Sequence, residues 1–215
     1  MVSMRTLGEL EDALDHDFAW RRTELHSLLS AVRTEKGPTG ACLRRGGLAL
    51  MYAHWEGYTK NALSTYWKFV ARRGLSYKEL NANFVALGIE RELSRSQGKS
   101  GAGVSIARVQ RLLECDDDRA LMIEREVDTQ SNLNSEVTTD LFMKLGLDDS
   151  GLATKHHFID FSLLRARNSI AHGEYLSVES EAYADMHHEV LALLAIVRSA
   201  VSNAANTKQY LRASA

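Results

Sequence analysis

The sequence predicts an all-α protein, an up-and-down bundle of about four long helices with a smaller helical insertion between the second and third. Three observations carry this. Apolar residues recur at the three- and four-residue spacing of a single helix face over several long stretches. The 215 residues contain one proline, Pro38, and proline is the residue that most strongly interrupts helices. No stretch of useful length alternates apolar and polar residues as a half-buried strand does, and no internal repeat is visible.

The elements follow in order. Thr6 and Glu9 have the spacing of a capping box, in which each side chain satisfies the other's backbone N–H. Behind them Leu7, Leu10, Leu14, Phe18, Leu25, Leu28 and Val32 form one helical face, which Gly37–Pro38 ends. A second helix runs from about Ala41 to Arg73 with Leu43, Leu50, Met51, Trp55, Tyr58, Ala62, Tyr66, Phe69 and Val70 inward. Arg72 and Arg73 fall in its last turn and Gly74 stops it. Ser76 to Glu79 repeats the capping pattern and predicts a short helix through Leu80, Phe84 and Leu87.

Ser94 to Ser105 has three glycines and no apolar period, so it is expected to be a mobile loop. With Arg91, Arg95, Lys99 and Arg108 it is either a basic arm or a solvated linker. Asp116–Asp117–Asp118 predicts a turn. Asn134–Ser135–Glu136 opens a short helix that Gly146 ends. A further helix runs from Lys155 through Phe158, Ile159, Phe161, Leu163, Leu164 and Ile170 to His172–Gly173. The last spans about Val178 to Asn203, with Tyr183, Met186, Val190, Leu191, Leu194, Val197 and Val201 on its face. Aromatic residues and methionines at such spacing are expected in the core.

Composition bounds the function. A chain of this length with 45% hydrophobic and 25% charged residues fits one globular domain over 1–215, with about 75–150 as the insertion. The net charge of −2 gives no global field for nucleic acid, so any RNA contact must use a local basic patch. Cys42 and Cys115 lie far apart, as suits a reducing cytosol. The acidic, amphipathic start lacks the features of a signal peptide, and no stretch reaches the ~18 apolar residues of a membrane span. A cytoplasmic location without membrane contact is expected.

The candidate chemistry lies in Leu163 to Glu174, LLRARNSIAHGE. Asn168 and His172 are four apart and share a helix face, as does Arg165, seven before the histidine. Arg167 precedes His172 by five and so lies roughly 140° away round an ideal helix. Two copies about a two-fold axis would solve this, each copy's arginine approaching the other's histidine. Histidine exchanges protons near neutral pH, so His172 suits general acid–base work on a ribose 2′-OH or a departing 5′-oxygen. Arginine's planar fork matches phosphate oxygens and suits charge on a phosphorane. Asn168 would orient the imidazole or hold a phosphate oxygen. From spacing alone, a helix-capping histidine beside solvated arginines remains the simpler account.

Arg167–Asn168–Ser169–Ile170–Ala171–His172–Gly173–Glu174 resembles the signature of the HEPN superfamily, in the form found in bacterial defence and toxin-like ribonucleases. Met51 to Lys60, MYAHWEGYTK, resembles the second-helix motif of the same branch. Ser131 to Glu136 with Leu145–Gly146–Leu147 resembles its middle segment. The resemblance spans roughly 45–180. It implies a HEPN-like bundle and a homodimer with a composite site. It also implies metal-independent RNA cleavage that leaves a cyclic phosphate, with Arg167, Asn168 and His172 as the catalytic set, and a possible antitoxin or defence-system partner.

Secondary expectations complete the picture. Arg165, Glu56, Lys60, Arg95 and Lys99 are candidates for substrate binding. Glu56 and Lys60, four apart on the second helix, either line the cleft or pair with each other. The pairs His156–His157 and His187–His188 do not chelate one ion, because adjacent helical residues point about 100° apart, and neither metal nor cofactor is expected. The competing functions are a non-catalytic binding or sensor subunit, which would not need the three motif residues, and a metal-dependent nuclease, which lacks converging carboxylates.

Overall fold

The computed structural model describes residues 4–94, 102–120 and 126–213. Among these the regular structure is helical, and extended pairing is limited to isolated bridges of Ser76 with Arg119 and Leu80 with Leu211. The fold class is the predicted one.

Helix α1, Leu7–Thr34, starts as its sequence dictates. The Thr6 side chain accepts from the Glu9 N–H while the Glu9 carboxylate accepts from the backbone of Thr6. Helix α2, Gly37–Ala71, begins four residues earlier than expected. Pro38 ends one helix and opens the next, because its fixed φ and missing N–H suit a first turn. The link of residues 35 and 36 turns α2 back along α1. Helix α8, Ser180–Asn206, packs against both.

Helix α2 is buried round most of its circumference, with Met51, Trp55, Tyr58, Ala62, Leu63, Tyr66 and Phe69 fully enclosed. A helix apolar on one stripe lies at a surface, and one enclosed all round forms the centre. Gly47 lets α8 approach. A Cβ built there would lie 2.2 Å from the Tyr183 hydroxyl, and Tyr183 is itself buried.

The interhelical core also holds polar groups. The Asp17 carboxylate accepts from Trp20 Nε1 at 2.7 Å, Arg21 Nε at 3.1 Å and Asn61 Nδ2 at 2.9 Å, which offsets the cost of enclosing its charge. His54 lies buried with Nε2 2.8 Å from the Glu24 carboxylate.

His187 is fully buried between α8 and α1, its ring 5.0 Å from His26 and 5.4 Å from His188. Burial, with His26, His188 and Arg33 nearby, lowers its pKa from 6.5 to about 4. The unfolded chain therefore binds a proton between about pH 6.5 and 4 that the folded chain refuses. Stability present above pH 6.5 is lost as the pH falls, by up to about 1.4 kcal/mol per pH unit for this one site. His54, lowered chiefly by burial, acts in the same direction. Urea midpoints at pH 7 and pH 5 should differ less in His187→Leu than in wild type.

Several predicted boundaries shift. Ser76 and Glu79 do bond to each other, but they close a turn. Helix α3, Ala82–Ser94, starts after Asn81, whose side chain accepts from the Phe84 N–H. Of the expected loop Ser94–Ser105, residues 95–101 lie outside the described residues, and the end is wrong, because helix α4, Ala102–Glu114, already includes Ala102 to Ser105. The Asp116–Asp118 turn folds onto residues 75–78, with Tyr77 N–H donating to Asp118 O and Lys78 N–H to Asp116 O. Helix α5, Ser135–Lys144, starts where predicted, with Asn134 as its cap, and Gly146 adopts φ +64°.

After the short turn α6, Ser150–Ala153, the third bundle helix in chain order is composite. A π-helical segment, Phe158–Leu164, runs into α7, Arg165–Ala171. It is half the length of α1, so the bundle has three long helices and one short. The wider π turn breaks the assumed period. Ile159 and Leu163 are buried, but Phe161 is 60% exposed. Trp20, Met143 and Tyr175 likewise stay outside the core. No helix among the described residues is long and apolar enough to cross a membrane.

Candidate active site

Gly173 determines how α7 ends. With φ +77° it lets the chain reverse, so Glu174 N–H reaches Ser169 O at 2.9 Å and Gly173 N–H reaches Ile170 O at 3.1 Å. These two bonds are the Schellman closure, which a residue with a Cβ makes only under strain. Two arginines of α2 then hold the following segment. Arg45 Nη2 donates to Glu174 O at 2.8 Å and Arg44 Nε to Val178 O at 2.5 Å. His172 is the C-terminal cap, turned off the helix at φ −84° and ψ 4°, and is exposed. Among the described residues its imidazole has no hydrogen bond or ion pair.

Arg167 is held firmly. Its Nη1 donates to Asn132 Oδ1 at 3.0 Å and to Asn168 Oδ1 at 2.8 Å, and its Nη2 donates to Ser131 O at 3.4 Å. The guanidinium also lies 4.7 Å over the ring of Tyr52, a cation–π contact that favours a fixed orientation.

Ser131 and Asn132 belong to a strap, residues 126–134, laid across α2. Trp55 Nε1 donates to Leu133 O at 3.3 Å, and the Leu133 N–H donates to the Tyr52 hydroxyl at 2.7 Å. Thr129 Oγ1 donates to Glu56 Oε1 at 2.7 Å. Beyond the strap, Asp160 of the π segment accepts from both the N–H and the hydroxyl of Ser135, at 2.8 and 2.5 Å. Burial, with Glu56 alongside, pushes the Tyr52 hydroxyl up to about 12, so Tyr52 stays protonated and neutral beneath the arginine.

The predicted residues fare differently. Arg167 and Asn168 are brought together, but Asn168 steadies the arginine; its oxygen makes no bond to the imidazole. The side chain of His172 is joined to neither. Arg165 is exposed on α7. Glu56 and Lys60 do not pair with each other. Glu56 is committed to Thr129 and Tyr52, whereas Lys60 reaches Glu126 at 2.9 Å. Arg95 and Lys99 lie outside the described residues. His157 packs on Phe161 and His187 is buried.

Tyr52, Thr129, Ser131 and Asn132 were not assigned a role by sequence reasoning. Tyr52 and Asn132 stand inside the two supporting motifs, which was the available signal.

A bundle of this kind, showing arginine, asparagine and histidine at the end of α7, defines a HEPN-type protein. The family model HEPN_MAE_28990-like HEPN matches residues 10–210, and the chain belongs to the HEPN superfamily. No curated protein and no solved structure matches it.

Proposed function

We propose that the chain is an endoribonuclease that cuts RNA by attack of a ribose 2′-OH on the adjacent phosphate. The observation that carries this reading is the pairing of an exposed His172 at a helix end with a fixed Arg167 five residues earlier. His172 takes the 2′-OH proton as O2′ bonds to phosphorus. The P–O5′ bond then breaks and the 5′-oxygen takes a proton from a histidine imidazolium, which gives a 2′,3′-cyclic phosphate and a 5′-OH. Arg167 stabilises the charge that builds on the phosphoryl oxygens. Side chains supply both proton transfer and charge, so the reaction needs no metal.

Two protons move, and a two-fold dimer would present two histidines. Phe161 and Tyr175, 60% and 84% exposed near the motif, give such an interface apolar surface. If the site is shared, Arg167→Ala and His172→Ala chains should regain activity when mixed and allowed to exchange subunits. A fully active monomer in sedimentation refutes sharing. The branch resemblance supports a toxin or antiviral effector restrained by a partner protein.

The test is incubation of purified protein with total RNA, with and without EDTA, followed by analysis of the new ends. Cyclic phosphate ends that survive EDTA support the proposal. Absence of cleavage overturns it and favours a nucleotide-binding or sensor module. For that second reading the specific observation is that Arg167 already spends three donors on its own chain.

A further inference from the structure

We infer that Asn132, together with the Ser131 carbonyl, is a positioning element that sets which edge of Arg167 faces the phosphate. A guanidinium has five N–H donors. Nη1 gives both of its protons to Asn132 and Asn168, and Nη2 gives one to Ser131 O. Ser131 and Asn132 are neighbours, and they bind one terminal nitrogen each. They therefore close the end of the fork between Nη1 and Nη2. The donors left are Nε–H and the outer Nη2–H, which lie parallel along one side of the guanidinium. That pair matches two oxygens of a phosphate in the bidentate manner.

The strap is shaped to make this contact. Gln130 and Ser131 both adopt left-handed conformations, at φ +56° and +57°, which non-glycine residues rarely take. The Gln130 N–H donates to Asp128 Oδ1 at 2.8 Å, the Asn132 N–H to Thr129 O at 3.3 Å and the Asn134 N–H to Asn132 O at 2.8 Å. Held by Glu56, Tyr52 and Trp55 from below, the turn can project acceptors at Arg167 without following its motion. Asn132 is exposed, so its side chain adds little to the core.

The kinetic part of this inference rests on the ribonuclease reading; the structural part does not. The test therefore has two readouts on Asn132→Ala, with Asn132→Asp as the variant that keeps an acceptor in place. The first is the ¹⁵N–¹H spectrum of the Arg167 guanidinium, assigned by its loss in Arg167→Lys. Wild type and Asn132→Asp should show slow, restricted rotation, and Asn132→Ala should show averaging. The second is cleavage of total RNA, where Asn132→Ala should lower kcat by at least ~10-fold with KM within ~3-fold, because misplacement of a positioned group falls on the chemical step. An unchanged guanidinium spectrum in Asn132→Ala overturns the inference. So does a disordered guanidinium with unchanged kcat. If wild type cuts no RNA, the proposed function falls, and the spectrum alone still decides whether Asn132 orders Arg167.

Discussion

Replacing His172 with alanine is expected to abolish RNA cleavage while moving the melting temperature by no more than about 2 °C. The imidazole is exposed, and among the described residues it bonds to nothing in its own chain. Surface substitutions of that kind usually stay within ~0.5 kcal/mol, which is about 2 °C for a chain of this size. The Schellman closure uses the backbone of residues 169–174, which alanine preserves. Loss of general acid–base help alone typically costs ~10²–10⁴-fold in rate. Arg167→Lys should also lose most activity, because a point charge cannot bond Asn132, Asn168, Ser131 and a phosphate at once. Initial rates on a labelled RNA, beside thermal melts, check both. A His172→Ala protein that cuts at the wild-type rate would make the motif structural.

The largest effect on stability is expected at Trp55. Its side chain is fully buried in α2, and its Nε1 satisfies the Leu133 carbonyl of the strap. Trp55→Ala removes the ring, opens a cavity and leaves that carbonyl without its donor. Truncation of a buried aromatic costs ~3–5 kcal/mol, which corresponds to a fall in melting temperature of roughly 6–20 °C. Trp55→Phe keeps most of the apolar contact and loses the hydrogen bond, so its fall should be much smaller. Calorimetry on the two variants separates packing from the hydrogen bond. Equal stability of Trp55→Ala and wild type would mean that the strap and α2 do not support each other.

Local chemistry was legible in the sequence wherever one segment decided the outcome. The Thr6–Glu9 box, the helix start at Asn134–Glu136 and the glycine stops at Gly146 and Gly173 act within a single turn, and each appears where predicted. The apolar periods of α1, α2 and α8 also suffice, because each face is buried by the others. The motif residues Arg167, Asn168 and His172 could be read for the same reason: they lie within six residues of one helix end.

Tertiary structure decided the rest. Whether Ser76–Glu79 opens a helix or closes a turn depends on the Asp116–Asp118 segment that folds against it. The π turn puts Phe161 outside although its spacing predicts the core. Glu56 and Lys60 have the spacing of an ion pair, but Thr129 and Glu126 of the strap, with Tyr52 one turn away on α2, compete for them successfully. The partners of Arg167 lie 35 and 115 residues away, at Asn132 and Tyr52. A one-dimensional period records the spacing within a helix and carries no information about which distant segment will cross it. The orientation of the arginine fork is therefore a property of the folded strap and not of the motif.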